Sequence, residues 1–316
     1  MDLLQCERLL TETFETVGCL PKIEPKAKSE LGGNCVKLRA MTMSRRSPRR
    51  RGGSRVSAPV RESSGWGVPR DRIRVIPRRA FTDELLARLH QFSNRLLPED
   101  AAHFRVHANT NEVVHIFEHG DAVVGYQFWR TAPLDLSGAR VILGGKLRVL
   151  PEHRRRALHL RSGLRFFLGC KLRHPLTRYY RLAIASLFGF VSITGALAEY
   201  QTLDPRARPG NAEGEALRTA FTRLAAESDF RIDAQTGLVF VDIGIAPETL
   251  AQYPESYFDR PEARAYARLN PGWRDNRCDV AFWFRFTPRN LLSLLRKIRS
   301  ARNLDRERRG EAAAPD

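Results

Sequence analysis

The residues best suited to chemistry in this chain are three consecutive arginines, Arg154, Arg155 and Arg156, at a predicted strand-to-helix junction. Residues 139–174 read as a strand, a turn at Pro151, the arginine cluster and a helix. A helix N-terminus attracts anions through its free N–H groups and its dipole. Cations are electrostatically misplaced there, so a bound phosphate would explain them, whereas a solvated charge run is the alternative. The pattern therefore favours a phosphate-bearing cofactor.

Candidate proton-transfer groups lie along a predicted β-hairpin at residues 113–131, where two β-branched and aromatic runs flank a Gly-Asp pair. The candidate bases in and beside this hairpin are Glu112, His115, Glu118 and His119. Strand alternation places His115 and His119 on one face, but this pair lacks a third ligand, so no metal site is predicted. A single histidine also fits a surface or core role, and Glu112 is selected as the candidate general base.

Several enzyme classes lack their characteristic motifs in this chain. No GxSxG, P-loop, HExxH or dinucleotide-binding GxGxxG occurs. The five cysteines are odd in number and widely spaced, without a CxxC pair or a Cys/His ligand spacing. Neither a disulfide framework nor a zinc site is therefore predicted, and a reducing cytoplasm is the expected location.

The elements that would position these groups begin at residue 73, and an apolar content of 42% supports a packed core. We predict four segments: a disordered basic leader (1–72), a catalytic core (73–203), a C-terminal extension (204–303) and a disordered tail (304–316). The core reads as strand 73–77, a helix capped by Thr82, the hairpin, a strand at 140–150 interrupted by Gly144-Gly145, helix 154–173, strand 179–187 and helix 190–200. The extension reads as helix 213–227, strands 237–245 and 278–286, and helix 289–302.

The formal charge of +18 is concentrated in the flanks, since residues 1–80 carry 18 Lys/Arg against 8 Asp/Glu. This distribution favours attraction of an anionic partner over a wholly basic nucleic-acid binder. Helix 289–302 is apolar on one side and basic on the other, which suits either an anionic membrane surface or docking on the domain. The uncharged run Leu182–Ala198 is at the short limit for a membrane span and fits a buried strand-turn-helix better.

The order strand, helix, hairpin, long bulged strand, helix, strand, helix over residues 73–202 resembles the GCN5-related N-acetyltransferase (GNAT) superfamily. In that family the fourth strand passes a Pro turn and Arg/Gln-x-x-Gly-x-Gly/Ala into a helix whose first N–H groups hold the coenzyme A pyrophosphate. Here Arg154 takes the basic position, and Ala157 and His159 take the glycine positions. The resemblance implies an α/β (α+β) fold: a mixed, mostly antiparallel central sheet flanked by helices, with a C-terminal α/β extension.

The resemblance also implies the ligand contacts. The expected cofactor-binding residues are Leu147, Val149, Arg154, Arg155, Arg156, Ala157, Leu158 and His159. Backbone groups after the Gly144-Gly145 bulge would hold the pantetheine arm of acyl-coenzyme A or of an acyl carrier protein. A plain packed bulge without a ligand is the alternative. Tyr200 lies near the family's acid position and would protonate the departing thiolate, whereas a Tyr packed at the rim of a helix is the other interpretation.

We therefore expect a metal-independent acyltransferase that moves an acyl group from a thioester to an amine acceptor by direct attack. Besides the acyl donor, an acidic acyl carrier protein and an anionic membrane surface are candidate partners, and nucleic acid is a weaker one. The alternative is a non-catalytic, degenerate GNAT-fold protein that binds a membrane surface or nucleic acid through its basic flanks. The expected location is the cytoplasm, with peripheral contact at the inner membrane surface.

Overall fold

The computed structural model describes residues 71–206, 211–228, 230–241, 245 and 247–311, with residues 306–311 as backbone. The predicted leader 1–72 lies outside these residues except for its last two, which begin the first strand. The strands are β1 Asp71–Pro77, β2 Val113–His119, β3 Ala122–Pro133, β4 Ala139–Val149, β5 Arg178–Ala185, β6 Gln201–Thr202, β7 Arg231–Ile232, β8 Val239–Phe240 and β9 Cys278–Arg285. The α-helices are α1 Asp83–Asn94, α2 Ala101–Asn109, α3 Leu158–Arg173, α4 Leu187–Thr194, α5 Ala212–Glu227, α6 Pro247–Leu250, α7 Glu255–Phe258, α8 Pro261–Leu269 and α9 Pro288–Glu311.

The described strands form a nine-stranded sheet in the order β1-β2-β3-β4-β5-β9-β8-β7, with β6 paired to β9. Neighbouring strands are antiparallel except β4 and β5, which are parallel. A parallel pair requires a crossover connection, and α3 supplies it. The predicted mixed, mostly antiparallel sheet is confirmed. Strand β9 comes from the predicted extension and pairs with β5, so residues 73–203 and 204–303 contribute to the same sheet.

Local sequence signals account for the ends of several elements. The β2–β3 hairpin turns at Gly120, whose φ of 59° lies in the left-handed region that glycine adopts without strain. Helix α1 begins after Thr82, whose hydroxyl accepts a hydrogen bond from the Leu85 amide at 3.1 Å. Helix α2 begins in the same way, because the Asp100 carboxylate accepts from the His103 amide at 2.9 Å. The 3-10 helix Arg78–Ala80 links β1 to α1.

The helices cover both faces of the sheet. One face, which we call the α3 face, packs against α3, α4, α8 and α9 through side chains such as Ile142, Phe167 and Phe282. The other, which we call the α1 face, packs against α1, α2 and α5 through side chains such as Phe128 and Val141. Burial of apolar side chains on both faces explains why the strands near the middle of the sheet are apolar nearly throughout.

Three of the predicted elements differ in the structure, and helices α2, α6, α7 and α8 were not predicted. The predicted helix 154–173 is divided into a 3-10 helix, Pro151–Arg156, and helix α3, with Ala157 between them. The predicted helix 190–200 is the earlier and shorter helix α4, because Gly195 ends it. The predicted strand 237–245 contributes only the two-residue strand β8 within the described residues. Helix α2 was not predicted, since its apolar residues have no pronounced helical periodicity.

The position of helix α9 decides between the two interpretations of segment 289–302, a membrane-surface helix and a helix docked on the domain. Its apolar side chains, including Leu294 and Ile298, are buried against α3, so they are not available to a membrane surface. The helix continues to Glu311, beyond the predicted start of the tail at residue 304. The run Leu182–Ala198 is divided between β5 and α4. Among the described residues, no helix combines the length and the apolar character that crossing a membrane requires.

Candidate active site

The central feature of the candidate site is a fork between β4 and β5. The two strands pair in parallel from Ala139↔Arg178 to Leu143↔Leu182 and then part. Beyond that point β4 continues to pair with β3, and β5 with β9, on their outer sides. Residues 144–149 therefore lack a described strand partner on the side facing β5. Backbone N–H and C=O groups need hydrogen-bond partners, so this edge can hold an extended polar ligand.

A bulge in β4 sits just inside the fork. The register with β3 shifts between Tyr126 and Phe128, and Lys146 on β4 has a φ of 46°. After the bulge, each side chain of β4 points to the face of the sheet opposite to the one that regular alternation would give it. Gly144 faces α3, whereas after the bulge Leu147 packs on the α3 face and Lys146 contacts groups of the α1 face. The bulge beside the two glycines therefore redirects charge to the α1 face.

The strand β4 leads into a turn that begins α3. Ala157 lies between the 3-10 helix and α3 with φ 51° and ψ 30°, a left-handed conformation in which glycine is favoured. This is the residue that takes a glycine position in the sequence pattern. Its side chain does not cap α3, so the first-turn amides of the helix, at Leu158 to Leu160, receive no cap bond. Such a helix start favours a negatively charged group.

The three arginines of the turn have different environments. Arg154 and Arg155 are exposed, and Arg154 donates from Nε to the Val149 carbonyl at 3.3 Å. Arg156 is half-buried and binds carboxylates instead, at 2.9 Å from Asp71 and 3.5 Å from Asp305. Two of the three predicted phosphate contacts are therefore available to a ligand, whereas Arg156 is already paired within the protein.

The other predicted contacts are divided between backbone and side chain. Leu158 is 1% exposed and Val149 9%, so only their backbone groups can meet a ligand. The imidazole of His159 lies 3.1 Å from the Ser192 hydroxyl of α4, turned away from the exposed arginines. Burial and the Arg181 guanidinium lower the pKa of His159 to about 4, so this side chain is neutral at physiological pH.

The start of β1 anchors the turn through an ion-pair network. Asp71 accepts from Arg156 and lies 2.9 Å from His119, and Arg161 is 3.6 Å away. Burial raises the pKa of the Asp71 carboxyl, but its bonds to Arg156 and His119 outweigh that effect and lower it. Asp71, His119 and His153 hold their ligand atoms within 4.8 Å of one another. The Arg156 guanidinium lies 2.9 Å from both Asp71 and His119, so it supplies there the positive charge that a metal ion would bring.

On the α1 face, the bulge carries a second polar cluster. The Lys146 ammonium forms an ion pair with Glu99, and Arg148 donates to the Ser93 hydroxyl at 3.0 Å. Burial raises the pKa of the Tyr126 hydroxyl, which has Ser93 and Arg148 as its polar neighbours. Burial, with the nearby Arg148 guanidinium, lowers the pKa of Lys146 to about 7. Sequence reasoning missed Glu99 and Ser93, because neither belongs to a recognisable motif.

The two predicted catalytic residues do not meet at the turn. Glu112 accepts from the Thr131 amide at 2.9 Å and lines a cleft of 430 Å³ with Cys170 and Arg173. That cleft is at the C-terminal end of α3, a helix of 16 residues whose length is about 24 Å. Glu112 is therefore remote from the candidate phosphate site, and its selection as the base at that site is not supported by the geometry.

Tyr200 follows α4 and packs in an aromatic group. Its ring centroid lies 5.6 Å from that of Phe190 and 6.1 Å from that of Phe282. Burial, and then Glu262, raise the pKa of the Tyr200 hydroxyl, which keeps its proton available for donation. These contacts agree with the packed-rim interpretation, and the role of Tyr200 as the acid stays a prediction.

His115, another candidate base, belongs to the core beneath α3. Its Nδ1 lies 2.8 Å from the Ser162 hydroxyl, which also accepts from Trp129 Nε1 at 2.8 Å. Burial and the Arg165 guanidinium lower the pKa of His115 to about 3. The side chain is 2% exposed, and its contact with Ser162 links β2 to α3.

The known proteins that this chain resembles are found among solved structures. No protein-family model matches the chain, and no curated protein matches it in sequence. Among solved structures, Arabidopsis thaliana Naa50 in complex with a bisubstrate analogue is 13% identical, with a TM-score of 0.31, over 68% of this chain and 99% of that chain. Arabidopsis thaliana NAA60, also with a bisubstrate analogue, is 13% identical, with a TM-score of 0.30, over 42% and 87%. The ribosomal-protein alanine N-acetyltransferase from Escherichia coli is 10% identical, with a TM-score of 0.29, over 42% and 82%. Likenesses at this level do not establish a shared activity.

Proposed function

We propose that this chain is an N-acyltransferase that binds a coenzyme A thioester in the β4–β5 fork and transfers its acyl group to an amine. The observation that carries this proposal is the parting of the parallel strands after Leu143↔Leu182, beside an uncapped helix start. A pantetheine arm is a chain of amides that needs backbone partners, and a pyrophosphate needs amides and cations. The fork and the turn offer both within one continuous stretch of chain.

Each part of the turn has a distinct task in this proposal. The first-turn amides of α3 bind the pyrophosphate, and the exposed guanidinium groups of Arg154 and Arg155 neutralise its charge. The left-handed Ala157 allows the chain to leave the 3-10 helix and expose those amides. The ion pair between Arg156 and Asp71 fixes the turn against β1, which keeps the amides oriented before the ligand arrives.

The transfer step is a direct attack. The amine nitrogen bonds to the thioester carbonyl carbon, the carbon–sulfur bond breaks, the thiolate takes a proton and the new ammonium loses one. A backbone N–H on the free edge of β4 polarises the carbonyl oxygen. We propose that the amine approaches from the α1 face, because the bulge places the ion pair of Glu99 and Lys146 there. The cytoplasmic location predicted from the cysteines agrees with a coenzyme A donor.

Binding of coenzyme A tests the proposal directly. Calorimetric titration should show saturable binding, and Arg154→Ala/Arg155→Ala should raise the Kd about tenfold or more at low salt, where charge is least screened. The matched control is Arg78→Ala/Arg88→Ala, which removes two exposed arginines near α1 and should change the Kd less than twofold. If neither coenzyme A nor any acyl-coenzyme A binds, the proposal is wrong and the non-catalytic alternative gains support.

The source of the pantetheine arm requires a second comparison. An acyl carrier protein presents the same arm on an acidic surface, which the exposed arginines would also attract. Transfer to a panel of amines should be followed by thiol release with matched acyl-coenzyme A and acyl carrier protein donors. A higher kcat/KM for the carrier protein that falls selectively in Arg154→Ala/Arg155→Ala would identify the protein-bound donor.

A further inference from the structure

A buried cation stands at the base of the fork. Arg181 interrupts the apolar sequence of β5 and is 6% exposed. Its Nη1 donates to the Ile142 carbonyl at 3.2 Å, where the β4–β5 ladder is about to end. No carboxylate lies within ion-pair distance of it among the described residues. Burial lowers the pKa of Arg181 to about 9, so the guanidinium is still charged at neutral pH.

The surroundings of Arg181 are shaped to leave room for it. A β-carbon added at Gly144 would lie 2.7 Å from Arg181 Nη2 and 3.0 Å from Gln127 Nε2. A larger residue at position 144 would therefore displace the ends of these two polar side chains. The guanidinium carbon also lies 4.7 Å from the centre of the Trp129 ring, a cation–π contact. Gln127 is 5% exposed, and the atom of its amide that approaches Gly144 is the donor Nε2.

The groups near Arg181 do not neutralise it. His159 and His115 on the same face of the sheet are uncharged at neutral pH, as their lowered pKa values show. Ser192 and Ser162 carry hydroxyl groups without charge. A buried charge without a partner destabilises the fold unless an opposite charge joins it. A site of this composition is incomplete without an anion.

The position of Arg181 identifies which part of a ligand it would meet. Gly144, at the guanidinium, and Val149, at the candidate phosphate turn, are five residues apart on β4, about 17 Å in an extended strand. This separation along the strand is an upper limit, because the bulge at Lys146 shortens it, and Arg181 also lies near enough to His159, in the first turn of α3, to lower its pKa. An extended pantetheine arm that starts at the turn directs its acyl end into the fork, towards Arg181.

We propose, on the basis of the proposed function, that the acyl group carries a carboxylate and that Arg181 and Gln127 bind it. The donor is then a thioester of a dicarboxylic acid, with phosphate at one end of the fork and carboxylate at the other. A guanidinium binds a carboxylate through two parallel hydrogen bonds, and the Gln127 amide supplies a further donor. A long alkyl chain does not fit this site, because it would bury the charge of Arg181 against methylene groups.

The test compares donors of matched length. Calorimetric Kd values are measured for malonyl-, succinyl- and glutaryl-coenzyme A against butyryl-, pentanoyl- and hexanoyl-coenzyme A, with coenzyme A itself as reference. We expect at least one dicarboxylic donor to bind at least tenfold more tightly than its neutral counterpart. Arg181→Met should abolish that preference and leave the Kd of coenzyme A within twofold. Arg165→Met, which removes a half-buried arginine of α3 bonded to the Ile73 carbonyl, should keep the preference.

The outcomes separate the two proposals. If the wild-type protein binds coenzyme A without preferring any dicarboxylic donor, the carboxylate site is wrong while the proposed function stands. If Arg181→Met weakens coenzyme A and every thioester alike, Arg181 serves the phosphates and the carboxylate proposal is overturned. If no thioester or coenzyme A binds to the wild-type protein, the proposed function itself fails. Because the wild-type comparison needs no variant, a folding defect in Arg181→Met does not remove the test.

Discussion

Replacing Arg181 by methionine should stabilise the ligand-free protein, an unusual result for a residue buried in a central strand. The lowering of its pKa from 12.5 to about 9 corresponds to a penalty of about 5 kcal/mol on the charged form. The substitution leaves the Ile142 carbonyl without its donor, which costs about 1–3 kcal/mol. Methionine fills a similar volume and packs on Trp129, but the cation–π contact, worth about 2 kcal/mol when desolvated, is lost. We therefore expect a net gain of at most about 2 kcal/mol.

Urea unfolding at neutral pH, followed by tryptophan fluorescence, measures this change. The midpoint should rise at an unchanged slope, and the melting temperature should rise by about 2–4 °C for each kcal/mol gained. Arg181→Lys retains the positive charge, so this variant should not be more stable than the wild-type protein. The comparison distinguishes the effect of the charge from the effect of the side chain's shape. If Arg181→Met lowers the free energy of unfolding by 1 kcal/mol or more, the protein itself satisfies this guanidinium. The inference that the site awaits an anion would then fail as well.

Two further perturbations probe the core beneath α3. Ser162→Ala removes the hydroxyl shared by His115 and Trp129, and urea unfolding should show a loss of about 2 kcal/mol or more; an unchanged midpoint would contradict the shared bond. Acidification should also destabilise the fold, because burial lowers the pKa of His115 to about 3 and of His159 to about 4. The stability that depends on these two histidines being neutral is complete above pH 6.5 and is lost as the pH falls towards 4. Urea midpoints at pH 7.5, 5.5 and 4.5 should therefore decrease in that order, and midpoints that do not change with pH would refute this prediction.

The elements with strong local signals were predictable from sequence. The Gly120 turn needs a positive φ, and the Thr82 cap satisfies an amide that the helix leaves free. The predicted interruption at Gly144-Gly145 lies next to the observed bulge, which follows at Lys146 after both glycines have paired with β3. Local chemistry determines these features, so no tertiary information was required. The same reasoning located the start of α3 within a few residues, because Pro151 cannot continue a strand.

The candidate site was predictable only in part, because its geometry depends on distant partners. Whether Arg156 faces a ligand or the protein depends on Asp71, which lies far away in sequence. Glu112 follows the rules for a candidate base, yet the pairing of β2 with β3 places it beside Thr131, at the far end of α3. Arg181 was not singled out from the sequence, because its importance comes from burial without a carboxylate, which no sequence pattern records.

The bulge at Lys146 divides the cations of β4 and β5 between the two faces of the sheet, one for the donor and one for the amine in the proposed reaction. Without it, strand alternation would direct Lys146 and Arg148 to the α3 face, beside Gly144 and Arg181, and would concentrate three cations under one helix. The bulge instead sends Lys146 and Arg148 to the α1 face, where Glu99 and Ser93 bind them. The unpaired charge therefore remains on the face that α3 covers, where the cofactor would enter. The paired charges lie on the opposite face, where an amine can approach the same stretch of β4 without competing for the anion site.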